Sequence, residues 1–251
     1  MEAINLSKAT VNLSKNQVIN LSKTSEGLSE IMIGLGWDPV DKSTQQYREV
    51  SRVVKPGFIG RLFGAQERTV VDRIPVNSNV DDIDLDAWVQ LLEGEGSGAR
   101  LNSTHDIVYY GQLKYYNNEG DLVIRHYGDD LTGASAATNK DCEQISIDLD
   151  KVPAKFSEIL ISVTIYKGWE RNQTFDIVKN NFIRVVDTRD NFEMCRFNQA
   201  DMSESQGAYT FVAGRLYKEK NEWQFEAIGK CTKHKSIQDL ANEYMRGNPV
   251  A

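Results

Sequence analysis

Short β-rich runs fill most of this chain, each closed by a turn-forming cluster. Ile145-Ser146-Ile147-Asp148-Leu149 alternates strictly between apolar and polar residues, the period of a strand with one buried face. Ile159 to Tyr166 is a near-continuous β-branched run. Ile31 to Ile33, Trp88 to Leu92, Ile107 to Tyr110, Leu122 to His126 and Phe182 to Val186 have the same character. Thr210 to Tyr217 and Trp223 to Ile228 flank a polar turn at Lys218 to Glu222 and read as a hairpin. Many short strands separated by turns predict a mostly β protein: a β-sandwich of two antiparallel sheets with a few short helices. One helix is expected over Ser236 to Tyr244, with Ser236 as its N-cap and Ile237, Leu240, Ala241 and Tyr244 on one face. A shorter helical candidate covers Phe175 to Lys179.

The N-terminus carries a repeat. Ile4-Asn5-Leu6-Ser7-Lys8 returns as Val11-Asn12-Leu13-Ser14-Lys15 and as Ile19-Asn20-Leu21-Ser22-Lys23. Apolar and polar residues alternate within each unit, and Asn and Ser are weak helix formers, so strands are expected. Near-identical units could exchange places in a sheet. Residues 41 to 80 differ from the rest: basic, polar and apolar residues are mixed around Lys55-Pro56-Gly57-Phe58. The stretch reads as an insertion whose apolar middle (Phe58, Ile59, Leu62, Phe63) is suited to docking. A single domain is expected over 1–245, with 41–80 inserted and 246–251 as a tail.

Composition excludes several classes. The 251 residues carry a formal charge of −7, which disfavours nucleic acid as a partner, since such binders concentrate Lys and Arg to neutralise phosphate. Three scattered cysteines, Cys142, Cys195 and Cys231, without a C-x-x-C pair, argue against a disulfide framework or zinc ribbon and for a reducing, cytoplasmic setting. No stretch approaches the roughly 20 apolar residues of a membrane helix. Direct membrane insertion is therefore not expected, and any place at the inner face of the membrane would be peripheral and reached through a partner.

The chemistry is concentrated in acids. Asp81-Asp82-Ile83-Asp84-Leu85-Asp86-Ala87 is one cluster. Gly128-Asp129-Asp130-Leu131-Thr132-Gly133, followed by Asp141-Cys142-Glu143, is the other. Acids this close repel unless neutralised, and a hard divalent cation takes oxygen ligands from carboxylates and carbonyls. On a strand, Asp82, Asp84 and Asp86 share one face. An EF-hand is rejected: the required Gly is Ala87, and Trp88 onward reads as strand. One such cluster is most simply a solvated loop; two, each bordered by strands, favour a metal. With only His105, His126 and His234 available, and far apart, a soft metal is disfavoured. Calcium suits the mixed set better than magnesium. His126 reads as a sheet or turn residue.

The motifs Gly34-Leu35-Gly36-Trp37-Asp38, Asp84-Leu85-Asp86-Ala87, His126-Tyr127-Gly128-Asp129-Asp130-Leu131-Thr132-Gly133, Asp141-Cys142-Glu143-Gln144-Ile145 and Asp148-Leu149 with Val152-Pro153 together resemble the TerD family of tellurium-resistance and stress proteins. Val163-Thr164-Ile165-Tyr166, Phe175, Asn181-Phe182-Ile183-Arg184-Val185, and Glu222-Trp223 with Phe225 continue the likeness in order. The resemblance implies a calcium-binding β-sandwich without established catalytic activity, linked to resistance to tellurite, phage and colicins. It implies work alongside other Ter-type stress proteins and a TerC-like membrane protein. The metal ligands it implies are Asp84, Asp86, Asp129, Asp130, Asp141 and Glu143, with carbonyls of Gly128 and Leu131, for two calcium ions; Asp38 is a nearby acid. Departures from the family pattern are Asp130 in place of Asn, Cys142 in place of Asp, and longer segments at 134–140 and 41–80. Two other readings stay open: a magnesium-dependent phosphoester hydrolase using the acids, and a metal-free interaction module.

Overall fold

The computed structural model describes residues 9–38, 47–54, 68–75, 83–128, 141–198 and 205–250. The first repeat unit, the apolar middle of the insertion, and Asp129 to Lys140 lie outside the described residues.

Two sheets carry the fold. In chain order the strands are β1 (Val11–Leu13), β2 (Val18–Asn20), β3 (Glu30–Asp38), β4 (Tyr47–Val54), β5 (Arg68–Pro75), β6 (Leu85–Leu92), β7 (Ile107–Val108), β8 (Lys114–Tyr116), β9 (Leu122–His126), β10 (Glu143–Asp148), β11 (Glu158–Ile165), β12 (Lys179–Asp187), β13 (Phe192–Asn198), β14 (Thr210–Glu219) and β15 (Glu222–Thr232). Seven strands, ordered β1-β13-β12-β3-β10-β9-β8, make one sheet; six, ordered β2-β15-β14-β11-β6-β7, make the other. Pairing is antiparallel except for β1, which runs parallel to β13. The predicted β-sandwich is therefore the observed architecture.

Alternation decides which side chains fill the core. Ile31, Ile33 and Leu35 of β3 are fully buried, as are Ile145 and Ile147 of β10 and Ile183 and Val185 of β12, their register neighbours. The six-stranded sheet is buried on both faces: β6 and β11 have no exposed residue. A helix explains the second covered face. The expected C-terminal helix spans Ile237–Met245 (α3, after the single turns α1 at Leu21–Thr24 and α2 at Gly168–Arg171), and the Ser236 hydroxyl accepts the Asp239 N–H at 3.1 Å. Its Leu240, Ala241 and Tyr244 pack with Trp88, Leu92, Leu160 and Val212. Full burial of Leu240 alone contributes about 2 kcal/mol. The hairpin turn is tighter than the sequence suggested: only Lys220 and Asn221 separate β14 from β15. Both have positive φ, the twist that suits a two-residue hairpin.

Several local expectations change. The second and third repeat units do not share an environment: β1 joins the seven-stranded sheet and β2 the six-stranded one, so they are not interchangeable. The third unit also stops being a strand halfway. The Asn20 side chain accepts the Lys23 N–H at 2.9 Å, starting one helical turn, α1 (Leu21–Thr24). The Phe175 candidate is a 3-10 turn, Phe175–Ile177, running into β12. The C-terminal tail is engaged: Lys230 Nζ donates to the Val250 carbonyl at 2.6 Å, and Val250 packs against the α3 cluster. Within 41–80, β4 and β5 form an antiparallel ribbon, and Val40–Asp81 is a compact unit by itself.

Candidate functional site

The first acidic segment is pinned at one residue after another. Trp37 on β3 donates its indole N–H to the Ile83 carbonyl at 3.2 Å, and the Tyr166 N–H binds the Asp84 carbonyl at 2.9 Å. Leu85, Asp86 and Ala87 are in register with Ile165, Thr164 and Val163 of β11. On its other side, β6 pairs with β7 only at Val89 and Gln90. The open edge at Ala87 is closed instead by side chains from the opposite sheet. Glu143 on β10 accepts the Ala87 N–H at 2.5 Å, and the His126 Nε2 lies 3.1 Å from the Ala87 carbonyl. Two side chains thus replace the missing neighbour strand, and join the two sheets at the acidic end.

The first acidic cluster does not form a row of solvated carboxylates. Asp84 and Asp86 are 5 % and 3 % exposed, and Glu143 is 2 % exposed. The acids of this anchored segment are thus withdrawn from water. Buried carboxylates need compensation, so this corner is chemically demanding. Asp86 still lines a cavity of about 510 Å³, shared with Thr164, Tyr109, Tyr110, Lys167 and Lys235. That is room for an ion to enter with its water.

Gly128 stands two residues beyond His126, with φ of +109°, a conformation that favours glycine. Its N–H donates to His126 Nδ1 at 3.0 Å. Asp129, Asp130 and Leu131 fall outside the described residues, as does Asp82.

Asp141 is placed differently from its expected role. Arg184 Nε and Nη2 bind its two carboxylate oxygens at 2.7 and 2.8 Å, and Gln144 Nε2 donates at 3.0 Å. Gln144 and Arg184 both face Gly34 across the ladder, on the side of the seven-stranded sheet away from the core, whereas Glu143 points inward. Arg184 continues to Glu193 at 3.0 Å, and Glu193 to Arg196 at 2.8 Å. Burial works against ionisation of Glu193, but hydrogen bonds from Arg196 and Arg184 outweigh it and hold its carboxyl below its usual value. Asp141 therefore has an arginine as counter-charge, and Asp141 and Glu143 do not converge. Asp38 likewise accepts from Asn180 Nδ2 at 2.5 Å. Among the described residues, no three His, Cys, Asp or Glu side chains are grouped closely enough to hold an ion. The donor chemistry of Asp84, Asp86 and Glu143 fits a hard cation, oxygen-only and buried; that of Asp141 does not.

The carboxylate of Asp141 lies directly over Gly34: a Cβ there would stand 2.4 Å from its Oδ1. Gly34→Ala should force the ion pair aside and cost about 1–3 kcal/mol. An unchanged melting temperature would show that the pair shifts freely.

Trp37, Arg184 and the inward role of His126 carried no local signal. Each acts across the sandwich on residues distant in sequence. The remaining thiols take no part: Cys195 and Cys231 are buried, and burial pushes the Cys195 thiol well up.

Comparison with known proteins agrees with this architecture. A family model described as the TerD domain matches residues 9–244. Stress response protein SCP2 of Bacillus subtilis (strain 168) is 33% identical over 235 residues, covering 94% of this chain and 99% of that protein. Tellurium resistance protein TerZ of Serratia marcescens is 31% identical over 234 residues, covering 93% and 96%. The crystal structure of a homologue of telluride resistance protein (TerD) from Streptomyces coelicolor A3(2) superimposes with a TM-score of 0.52. At 16% identity, over 89% of this chain and 99% of that one, it is a likeness of fold. The chain belongs to the TerD domain family.

Proposed function

We propose that this protein is a calcium-binding, non-enzymatic member of a stress-defence system that includes tellurium resistance, with resistance to phage and colicins as further outlets. The observation that carries the reading is the pinned segment Ile83 to Ala87, which holds Asp84 and Asp86 buried. Asp84 and Asp86 would offer the first carboxylates, and Gly128, Asp129, Asp130, Leu131 and Glu143 would have to close around them to complete the shell, with two ions as the working number. Bound calcium supplies positive charge and oxygen coordination there. The chain itself supplies a rigid rim at one end of the sandwich, suited to contact with other Ter-type proteins and a TerC-like membrane protein. No helix among the described residues is long and apolar enough to cross a membrane, so a cytoplasmic protein meeting the membrane through that partner is the arrangement proposed.

Calorimetric titration of chelator-stripped protein with calcium, then magnesium, tests the reading. Calcium should bind at about micromolar or tighter, with a much weaker magnesium response. Absence of calcium binding would overturn it. Hydrolysis of a phosphate ester with magnesium or manganese would favour the enzymatic alternative.

A further inference from the structure

We infer that His126 is a positioning residue for the acidic site: it fixes the Gly128 peptide against the Ala87 peptide without itself being a ligand. The inference rests on the calcium reading above and assigns a part to a residue outside its ligand set.

His126 is 2 % exposed and uses both ring nitrogens. Nδ1 accepts from the Gly128 N–H, so Nδ1 carries no proton. The proton is then on Nε2, which donates to the Ala87 carbonyl. Gly128 leads directly into Asp129-Asp130, and Ala87 directly follows Asp86. One rigid ring therefore sets the spacing between the Ala87 peptide of β6 and the Gly128 peptide just beyond β9, which adjoin different acidic segments in sequence. The neighbouring strand reinforces it: Ile145 lies opposite His126, so Glu143, two residues before Ile145, is on the same face. Its carboxylate takes the Ala87 N–H while the imidazole takes the Ala87 carbonyl. The ring cannot turn without giving up both bonds, so displacement of the Ala87 peptide is transmitted to the Gly128 peptide. Residues that orient ligands in this way typically change metal affinity 10–100-fold when replaced.

The test uses the full chain and calcium alone as probe. His126→Asn keeps an acceptor near the position of Nδ1, and His126→Gln keeps a donor near that of Nε2. Each should lose one of the two links and weaken calcium binding about 10–100-fold in calorimetry at a temperature where circular dichroism shows the variant folded. A purely structural histidine would lower the melting temperature in chelator and leave the calcium affinity of the folded variant unchanged, which would overturn the inference. Complete loss of binding in both variants would also overturn it, by making His126 a ligand. If the parent protein does not bind calcium, the functional reading falls, and the inference with it. If the parent binds and the variants bind equally well, the inference alone falls. Long-range nitrogen–proton NMR of the parent gives a check independent of any variant's folding. It should report an Nε2-protonated neutral ring, and an Nδ1-protonated ring would contradict the assignment.

Discussion

Replacing Asp86 by Asn is expected to remove calcium-dependent stabilisation while leaving the chelated protein about as stable as its parent. The two halves of this expectation have different causes. An ion that binds only the folded state stabilises it by about 4 kcal/mol when present at a thousand times its dissociation constant. For a domain of this size that corresponds to about 8–16 °C in melting temperature. Asn matches Asp in volume but lacks the charge that a hard cation selects, so most of the gain should vanish. Without the ion, the balance changes. Asp86 is nearly excluded from water, where a carboxylate without an ion is costly, so a neutral side chain of the same size should cost the chelated protein little. Parallel melts of parent and D86N, in calcium and in chelator, separate these effects. An equal fall in both conditions would mean that Asp86 serves the fold and not an ion.

Asp84 and Asp86 occupy a segment whose backbone is held from both sheets, so an ion bound to their carboxylates would rest on a rigid support. Trp37, His126 and Glu143 all approach from the seven-stranded sheet, while Tyr166 and β11 hold the segment from the six-stranded one.

Those features were legible in the sequence to different degrees, for physical reasons. Strands such as β10, β11, β14 and β15 announce themselves because alternation and β-branching are local properties, written within a few residues. β13 was not recognised: Phe192-Glu193-Met194-Cys195-Arg196-Phe197 interleaves charges with apolar residues. It is stabilised by contacts outside its own run, including Arg196 stacked 3.9 Å from the Phe182 ring centre. The ribbon of β4 and β5 was hidden in the same way by its arginines. The acids at 84 and 86 could be picked out as a cluster, yet their burial could not, because the anchors come from Trp37 and Tyr166 across the fold. Asp141 is paired in a way that its place in the sequence does not reveal. Its spacing from Glu143 suggested one shared loop site, but Glu143 turns inward while Arg184, 43 residues away in sequence, fixes Asp141 on the outer side. Which acids converge depends on strand register, and register depends on pairings that no single stretch encodes.

Asp187→Asn should produce the largest loss of stability among changes remote from the acidic site, about 3 kcal/mol, or about 6–12 °C. The Asp187 carboxylate is fully buried and accepts from the Ser25 hydroxyl, from Arg189 Nε at 3.0 Å and Nη2 at 2.7 Å, and from the Arg189 N–H at 3.0 Å. Arg189 extends to the carbonyls of Glu26 and Gly27 at 3.0 and 2.7 Å. The network therefore fastens the chain after α1 to the connection between β12 and β13. Asn would turn an amide donor toward these donors and leave the guanidinium without its counter-charge. The pH dependence follows from the same contacts. The hydrogen bonds from Arg189 hold the Asp187 carboxyl far below its ordinary value of 3.8, so the folded state favours the ionised form. Stability from this group is then fully present above about pH 4 and is lost as pH falls through the folded-state value. In chelator, the gap between parent and D187N should be constant from neutral pH to about pH 5 and narrow below about pH 4. A gap that is absent at neutral pH would show that the N-terminal units are held by their strand pairing alone.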